Sequence, residues 1–593
     1  MNCPSRTEEP EGTGYNQNPS SLSADLTTRN DLNGMANARV LRRISSSEIQ
    51  TTEQEYDPNL PPPEKTLMVG VEGEGARGSR GGGSGGGGDG GTGLHERDND
   101  SSNRHPSPNL FMKARKICIT FGKFVGPGFM IAVAYIDPGN YATDVAAGAT
   151  YRFKLLFIVL MSNLFAIFLQ SLCIKLGSVS GLNLAESCRA FLPWWLNIFL
   201  YIMAEGAIIA TDIAEVIGTA IAINLLIPQI PLVAGCALSI VDVLLILLFY
   251  KPNGSMRGLR AFEFFVMALV LGVVVCFCIQ LSLIENTSIG EVFRGYLPSS
   301  AIIESDGLYQ ACGILGATVM PHSLYLGSGI VQPRLREYDV KHGIVAPATE
   351  SDTESTLKDV YLPSLSAINF CLKYSIIELS IALFTFALFV NSAILITAGA
   401  SLYGTEAAEA DLFGIYALLS KSIAPAAGTI FALALLLSGI SAGIVCTIAG
   451  QMVSEGALNW TIAPWLRRLI TRSISITPSI IIAGAVGRSG LSAALNGSQV
   501  ALSVTLPFIS APLIYFTCRN KYMTVGVRVN RVHGDGESVI DGQSHGVADT
   551  ASVVEQKKMR NHWITAGSGV TIWLIITVMN VANLVLLGKG EGA

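Results

Sequence analysis

Beyond residue 117 the chain alternates between long apolar runs and short polar interruptions. Each run reaches the roughly 20 mostly apolar residues that a helix needs to cross a bilayer, or exceeds them. The pattern predicts spans at 117–149, 155–177, 194–223, 231–250, 261–284, 307–332, 366–398, 412–450, 470–487, 490–517 and 563–587. Eleven such spans define an all-α polytopic membrane protein, since helices satisfy their own backbone groups in lipid. Several windows exceed one crossing, which predicts broken, tilted or extended helices.

Two spans are interrupted by polar and helix-breaking residues. The first carries "AYIDPGNYATD", Ala134 to Asp144. Pro138 lacks a backbone donor and Gly139 is permissive, so the helix is expected to open there. An open helix is tolerated in a membrane only where the freed backbone faces protein or water. The Ala134 carbonyl, the Asp137 carboxylate and the Asn140 amide then form an oxygen-rich cation site; the alternative is a proline kink capped by an Asp-Asn pair. The sixth span carries "GILGATVMPHSLYLGSG", Gly313 to Gly329, with Pro321 and the ionisable His322 near its middle. Paired interruptions at matching places in two five-helix halves point to a transporter built from inverted repeats, with its site at the breaks. Met320 precedes Pro321. It either packs or supplies a soft thioether, which favours transition metals over Mg²⁺ and Ca²⁺. Oxygens plus one sulfur suit a divalent metal such as Mn²⁺ or Fe²⁺ better than Zn²⁺, which prefers tetrahedral Cys and His.

Ionisable residues inside spans are costly and are functional candidates. In the third span Glu205, Asp212 and Glu215 share one helix face. They read as a proton path or as a structural ion-pair network. Arg472, at the start of the ninth span, is the candidate partner, with Arg467 and Arg468 just outside it. His322 titrates near neutral pH in its unperturbed state and is a candidate member of the path. Asp242 and Glu378 are further acids without an assigned role. In the tenth span Gln499 follows Asn496-Gly497-Ser498, and its amide is a candidate for completing a coordination shell.

Composition sharpens this picture. Half of the 593 residues are hydrophobic and only 14% are charged, against about 25% charged in soluble globular chains. Residues 1–112 differ: they are polar, with Gly81 to Gly91 nearly all glycine, and they read as a disordered cytoplasmic tail. Most of the eleven cysteines lie within apolar runs, with no CxxC pair. They read as packing residues, Cys276 and Cys278 facing different ways. Lys and Arg concentrate in loops on one side, including Lys113, Arg115, Lys251, Arg257, Arg334 and Arg336. The positive-inside rule then places the N-terminus in the cytoplasm and, for an odd span count, the C-terminus outside or in a lumen. Asn286 is a candidate glycosylation site, and the Pro333–Pro363 loop a candidate regulatory segment.

Four ordered motifs carry a family resemblance: "DPGN" (137–140), "ATDIAEVIG" (210–218), "GATVMPHS" (316–323) and "NGSQVALSVTLPF" (496–508). Over about residues 110 to 590 the chain resembles the Nramp family of proton-coupled divalent metal transporters. "MPHS", where many members have Asn in place of Ser323, and the Ser/Gly-rich tail resemble the family's fungal manganese transporters. The resemblance implies a LeuT-like fold: repeats at about 113–285 and 305–520, unwound first and sixth helices, and an extra helix at about 563–587. It implies metal ligation by Asp137, Asn140, Met320 and the carbonyls of Ala134 and Ala317, with Gln499 joining in some conformations. It implies that Asp137 also accepts a proton, which leaves by way of His322, Asp212, Glu215 and a ninth-span base.

The function these features predict is H⁺-coupled uptake of Mn²⁺ toward the cytoplasm, with Fe²⁺, Co²⁺ and Cd²⁺ as further cargo. The protein is expected to act as a monomer, with no cofactor, in the plasma membrane or an endosomal or vacuolar membrane. The competing readings are an amino-acid/Na⁺ transporter of LeuT-like fold and a non-transporting metal sensor. No HExxH and no paired Cys/His cluster argues for an enzyme.

Overall fold

The computed structural model describes residues 126–241, 256–284, 287–345, 361–404, 411–422, 425–459, 464–530 and 552–590. The expected tail, Cys118, Asp242 and Asn286 lie outside these residues, as do the side chains of Arg467 and Arg468. The first predicted span is two helices, α1 (Pro127–Val133) and α2 (Pro138–Tyr151). The second is α3 (Leu156–Ser180), followed by the short α4 (Leu184–Phe191). The third is α5 (Trp194–Leu226). The fourth begins as α6 (Leu232–Leu238) and runs out of the described residues; the fifth is α7 (Met256–Ser282). After the short α8 (Ile289–Gly295), the sixth is again two helices, α9 (Ser305–Thr318) and α10 (Pro321–Gly329).

Helix α11 (Gln332–Lys341) occupies the start of the loop expected from Pro333 to Pro363. The seventh span is α12 (Leu365–Ala382) and α13 (Leu388–Ser401), joined by a π-helical turn at Leu383–Ala387. The window expected as one span at 412–450 is instead the short α14 (Leu412–Ser422) and the long α15 (Pro425–Leu458). Pro425, at the start of α15, has no backbone N–H to continue a preceding helix. Then come α16 (Pro464–Ala485), α17 (Arg488–Cys518) and α18 (Trp563–Gly588). Between the last two lies one addition to the expected all-helical fold, an antiparallel ribbon of β1 (Thr524–Asn530) and β2 (Ser552–Lys558), with Thr524 opposite Lys558.

Among the described residues eight helices are long and apolar enough to cross a membrane. The other expected spans fall short for visible reasons. The first is cut into pieces of 7 and 14 residues, the fourth leaves the described region, and the ninth has a 17-residue apolar stretch, Leu469–Ala485.

The helix pairings come in matched sets. α5 packs on α17, and α15 packs on α7; α2 packs on α13, and α10 packs on α3. Exchanging the first five spans with the second five turns each pair into its counterpart. Five is odd, so the second repeat enters the bilayer from the opposite side, which is the inverted-repeat architecture. α18 stands outside this symmetry. It lies against α9 and α17, and its Trp573 indole donates to the Pro507 carbonyl at 2.8 Å.

The cysteines behave as packing residues: Cys276 is buried, Cys278 exposed, and every cysteine among the described residues is free. Glu378, without a role at the sequence level, anchors the start of α1. One of its oxygens accepts from the backbone N–H of Gly126 at 2.7 Å and of Gly128 at 3.1 Å, a carboxylate at a helix N-terminus. Glu378→Ala leaves these donors unanswered and is expected to loosen α1 by about 1–3 kcal/mol. Hydrogen exchange across residues 126–133 should accelerate accordingly; unchanged exchange would refute the anchoring role.

Candidate metal site

Each break is built by one proline. Pro138 and Pro321 are the residues whose N–H groups would bond the carbonyls of Ala134 and Ala317 in a continuous helix. Both carbonyls are thereby released at mid-span. In the first break the chain tightens into i→i−3 bonds at Ala134, Tyr135 and Ile136, then turns extended at Asp137, which caps α2. In the second, Val319 and Met320 leave the helical region and Met320 caps α10.

The released groups meet. Asp137 Oδ1 accepts from the Asn140 backbone N–H and from its side-chain Nδ2, both at 2.8 Å. The same Nδ2 donates to the Ala317 carbonyl at 3.1 Å, joining the two breaks. Asn140 Oδ1 in turn accepts from Thr318 Oγ1 and from Asn391 Nδ2, each at 3.4 Å. The Tyr135 carbonyl accepts from Asn391 Nδ2 at 3.0 Å, and the Ile136 carbonyl from Ser438 Oγ at 2.7 Å. Among the described residues no hydrogen bond ends on the Ala134 carbonyl or on Asp137 Oδ2. Gln499, on α17, lies over the first break: a Cβ added at Gly139 would collide with its amide. Only glycine admits that approach, and Gln499 Oε1 is likewise without a partner. Asp137, Asn140, Met320 and Gln499 are each buried to within 1%.

A second cluster adjoins the second break. His322 Nδ1 lies 3.3 Å from Thr211 Oγ1, one residue before Asp212 on α5. Arg472 of α16 pairs with Asp212 and, at 3.4 Å, with Glu215. All three are nearly fully buried. The structure thus selects Arg472 among the bases near the ninth span whose side chains are described. Glu205 lies two turns earlier on α5 and is only half-buried.

Sequence reasoning missed the groups that hold the breaks in place. Gln170 Nε2 donates to Tyr135 Oη at 2.9 Å and to Ser323 Oγ at 3.0 Å. Ser323, where the family pattern departs, bonds Tyr135 Oη at 3.1 Å and the Met320 carbonyl at 2.7 Å. Asn391 lies in an apolar run, and nothing in the sequence says which carbonyl it reaches.

Two pseudo-symmetric halves, each opened at mid-span, with buried carboxylate, amides and backbone oxygens gathered at the openings, define the class of membrane transporters built from inverted repeats. The LeuT-like class is borne out by the paired breaks and exchanged packing. The family described as "Natural resistance-associated macrophage protein-like", Nramp, matches residues 128–532, and the chain belongs to it. Over 522 residues the chain is 51% identical to the manganese transporter SMF1 of Saccharomyces cerevisiae, covering 83% of this chain and 91% of that one. It is 50% identical over 466 residues to the iron transporter SMF3 of the same yeast, covering 78% and 95%. Among solved structures, the manganese transporter of Eremococcus coleocola matches with a TM-score of 0.61 and 29% identity, covering 80% of this chain and 88% of that one.

Proposed function

We propose that the protein imports Mn²⁺ and related divalent metals into the cytoplasm, coupled to protons, by alternating access. The observation that carries this reading is the meeting of Asp137, Asn140, the Ala317 carbonyl and Gln499 at two opposed helix breaks. In this reading the metal exchanges waters for Asp137, Asn140, Met320 and the carbonyls of Ala134 and Ala317. Gln499 closes over it from α17. The Asn140 amide, now donating to both Asp137 and Ala317, rotates so that its oxygen faces the cation. A dication at Asp137 displaces the proton held there. The proton passes by His322 and Thr211 toward Asp212, Glu215 and Glu205, where Arg472 holds the acids in place.

The positive-inside bias supports a cytoplasmic N-terminus and an outer or lumenal C-terminus, in the plasma membrane or an endosomal or vacuolar membrane. The transporter works as a monomer without a cofactor, and catalyses no reaction. Kinship to both manganese and iron transporters supports a cargo range of Mn²⁺ and Fe²⁺, extended by the thioether to Co²⁺ and Cd²⁺.

The test is uptake into proteoliposomes with a panel of cations, with and without an inward proton gradient. Mn²⁺ uptake that rises with the gradient, and is not competed by Ca²⁺ or amino acids, is the expected result. In Met320→Ala, Ca²⁺ should begin to compete. Metal binding without uptake would favour the sensor reading instead.

A further inference from the structure

Asp144 closes the motif on which the first break stands, yet the site just described does not use it. Its residue is 0% exposed, and among the described residues neither carboxylate oxygen has a hydrogen-bond partner. Its surroundings follow from helix geometry. Asn140, Asp144 and Gly148 are spaced four apart and form one ridge along α2. At one end of the ridge Asn140 Oδ1 meets Asn391 Nδ2 of α13. At the other, a Cβ on Gly148 would sit 2.6 Å from the Leu395 carbonyl and 2.8 Å from the Ala398 Cβ, also of α13. The middle of the ridge therefore presses Asp144 against α13 between these contacts. The same helix carries Asn391, whose Oδ1 is likewise buried and without a hydrogen-bond partner among the described residues.

The Asp144 carboxylate calls for a cation or a proton, because a buried carboxylate is costly unless something compensates it. The protein supplies little. α13 and α9 contain no basic residue. Arg488 of α17 is engaged over the Phe413 ring at 3.9 Å, and Lys421 of α14 is exposed. The acids Asp212 and Glu215 of α5 are matched to Arg472, while Asp137, two turns away on α2, adds negative charge.

We propose that Asp144, with Asn391, is a second cation station of the transport route, two turns along α2 from Asp137. It is loaded either by the metal in passage or by a proton. The inference rests on the transport reading above and adds a site to it.

The test uses the full chain in proteoliposomes, with Mn²⁺ as probe and wild-type uptake as the control that separates failure of the transport reading from failure of this one. Asp144→Asn keeps the shape and removes the charge; Asp144→Glu keeps the charge. If the station takes the metal, Asp144→Asn raises the Mn²⁺ KM at least fivefold with the H⁺/Mn²⁺ ratio unchanged. If it takes a proton, the ratio falls by about half with KM unchanged. In both cases Asp144→Glu retains most of the wild-type value. Asp144→Ser gives the same reading should the Asn variant fail to fold. Asp144→Asn matching wild type in both quantities overturns the proposal. So does tolerance of Asn with loss of function in Glu, which would make Asp144 a packing residue.

Discussion

Asp137→Asn is expected to abolish Mn²⁺ uptake while leaving the protein folded. Asp137 does two separable jobs. As a helix cap, Asp137 Oδ1 accepts the Asn140 backbone N–H at 2.8 Å, and Asn caps about as well as Asp. Thermal unfolding in detergent should therefore move little. As a charge, Asp137 is the only ionisable side chain among the metal ligands proposed; Asn140, Met320, Gln499 and the two carbonyls are neutral. At mid-membrane a dication that has shed water is poorly compensated by neutral dipoles alone. Proton coupling fails in the same variant, since an amide neither takes up nor releases a proton in this range. The measurement is gradient-driven Mn²⁺ uptake together with Mn²⁺ binding by calorimetry. Retained uptake would refute the assignment of Asp137, whatever happened to stability.

That prediction was available from sequence, and the reason is physical. A proline, a glycine and a carboxylate inside an apolar run violate the rules of the bilayer, and the violation is local enough to read from the chain. Pro138 identifies the Ala134 carbonyl as freed because the missing donor lies four residues on, and Pro321 does the same for Ala317. Gln499 was a weak candidate for the converse reason. Its role depends on α17 crossing over Gly139, a contact between residues 360 apart in the chain. The same holds for Asn391, Gln170 and Ser438, whose hydrogen bonds fix the open backbone but whose partners only the fold supplies. Span boundaries failed where apolar content alone was the guide. The 412–450 window merged two helices because the short polar signal at Ser420–Ser422 and Pro425 is outweighed by the long apolar runs on either side. The β1–β2 ribbon leaves no mark of bilayer length in the chain, since each strand has only seven residues.

The second large effect is expected at Arg472. Its guanidinium is the only base described beside Asp212 and Glu215, and it reaches both acids from another helix. Arg472→Leu takes from the buried Asp212 the base it pairs with, a loss of about 3–5 kcal/mol for a broken buried pair. The unfolding midpoint in detergent should fall markedly. Arg472→Lys keeps the charge but not the guanidinium geometry that brings Nη1 to both acids, so it should recover only part of the loss. The diagnostic experiment is a double-variant cycle. Adding Asp212→Asn to Arg472→Leu removes the charge that lost its partner and should restore much of the stability, because the penalty lies in the uncompensated acid rather than in the missing contact. Transport separates the two roles of the cluster. If the acids carry protons, the stabilised double variant still binds Mn²⁺ at Asp137 and Asn140, but its metal-driven proton flux is lost. Wild-type proton flux in that double variant would reduce Asp212 and Arg472 to a structural ion pair, and the proton would have to leave Asp137 by another route.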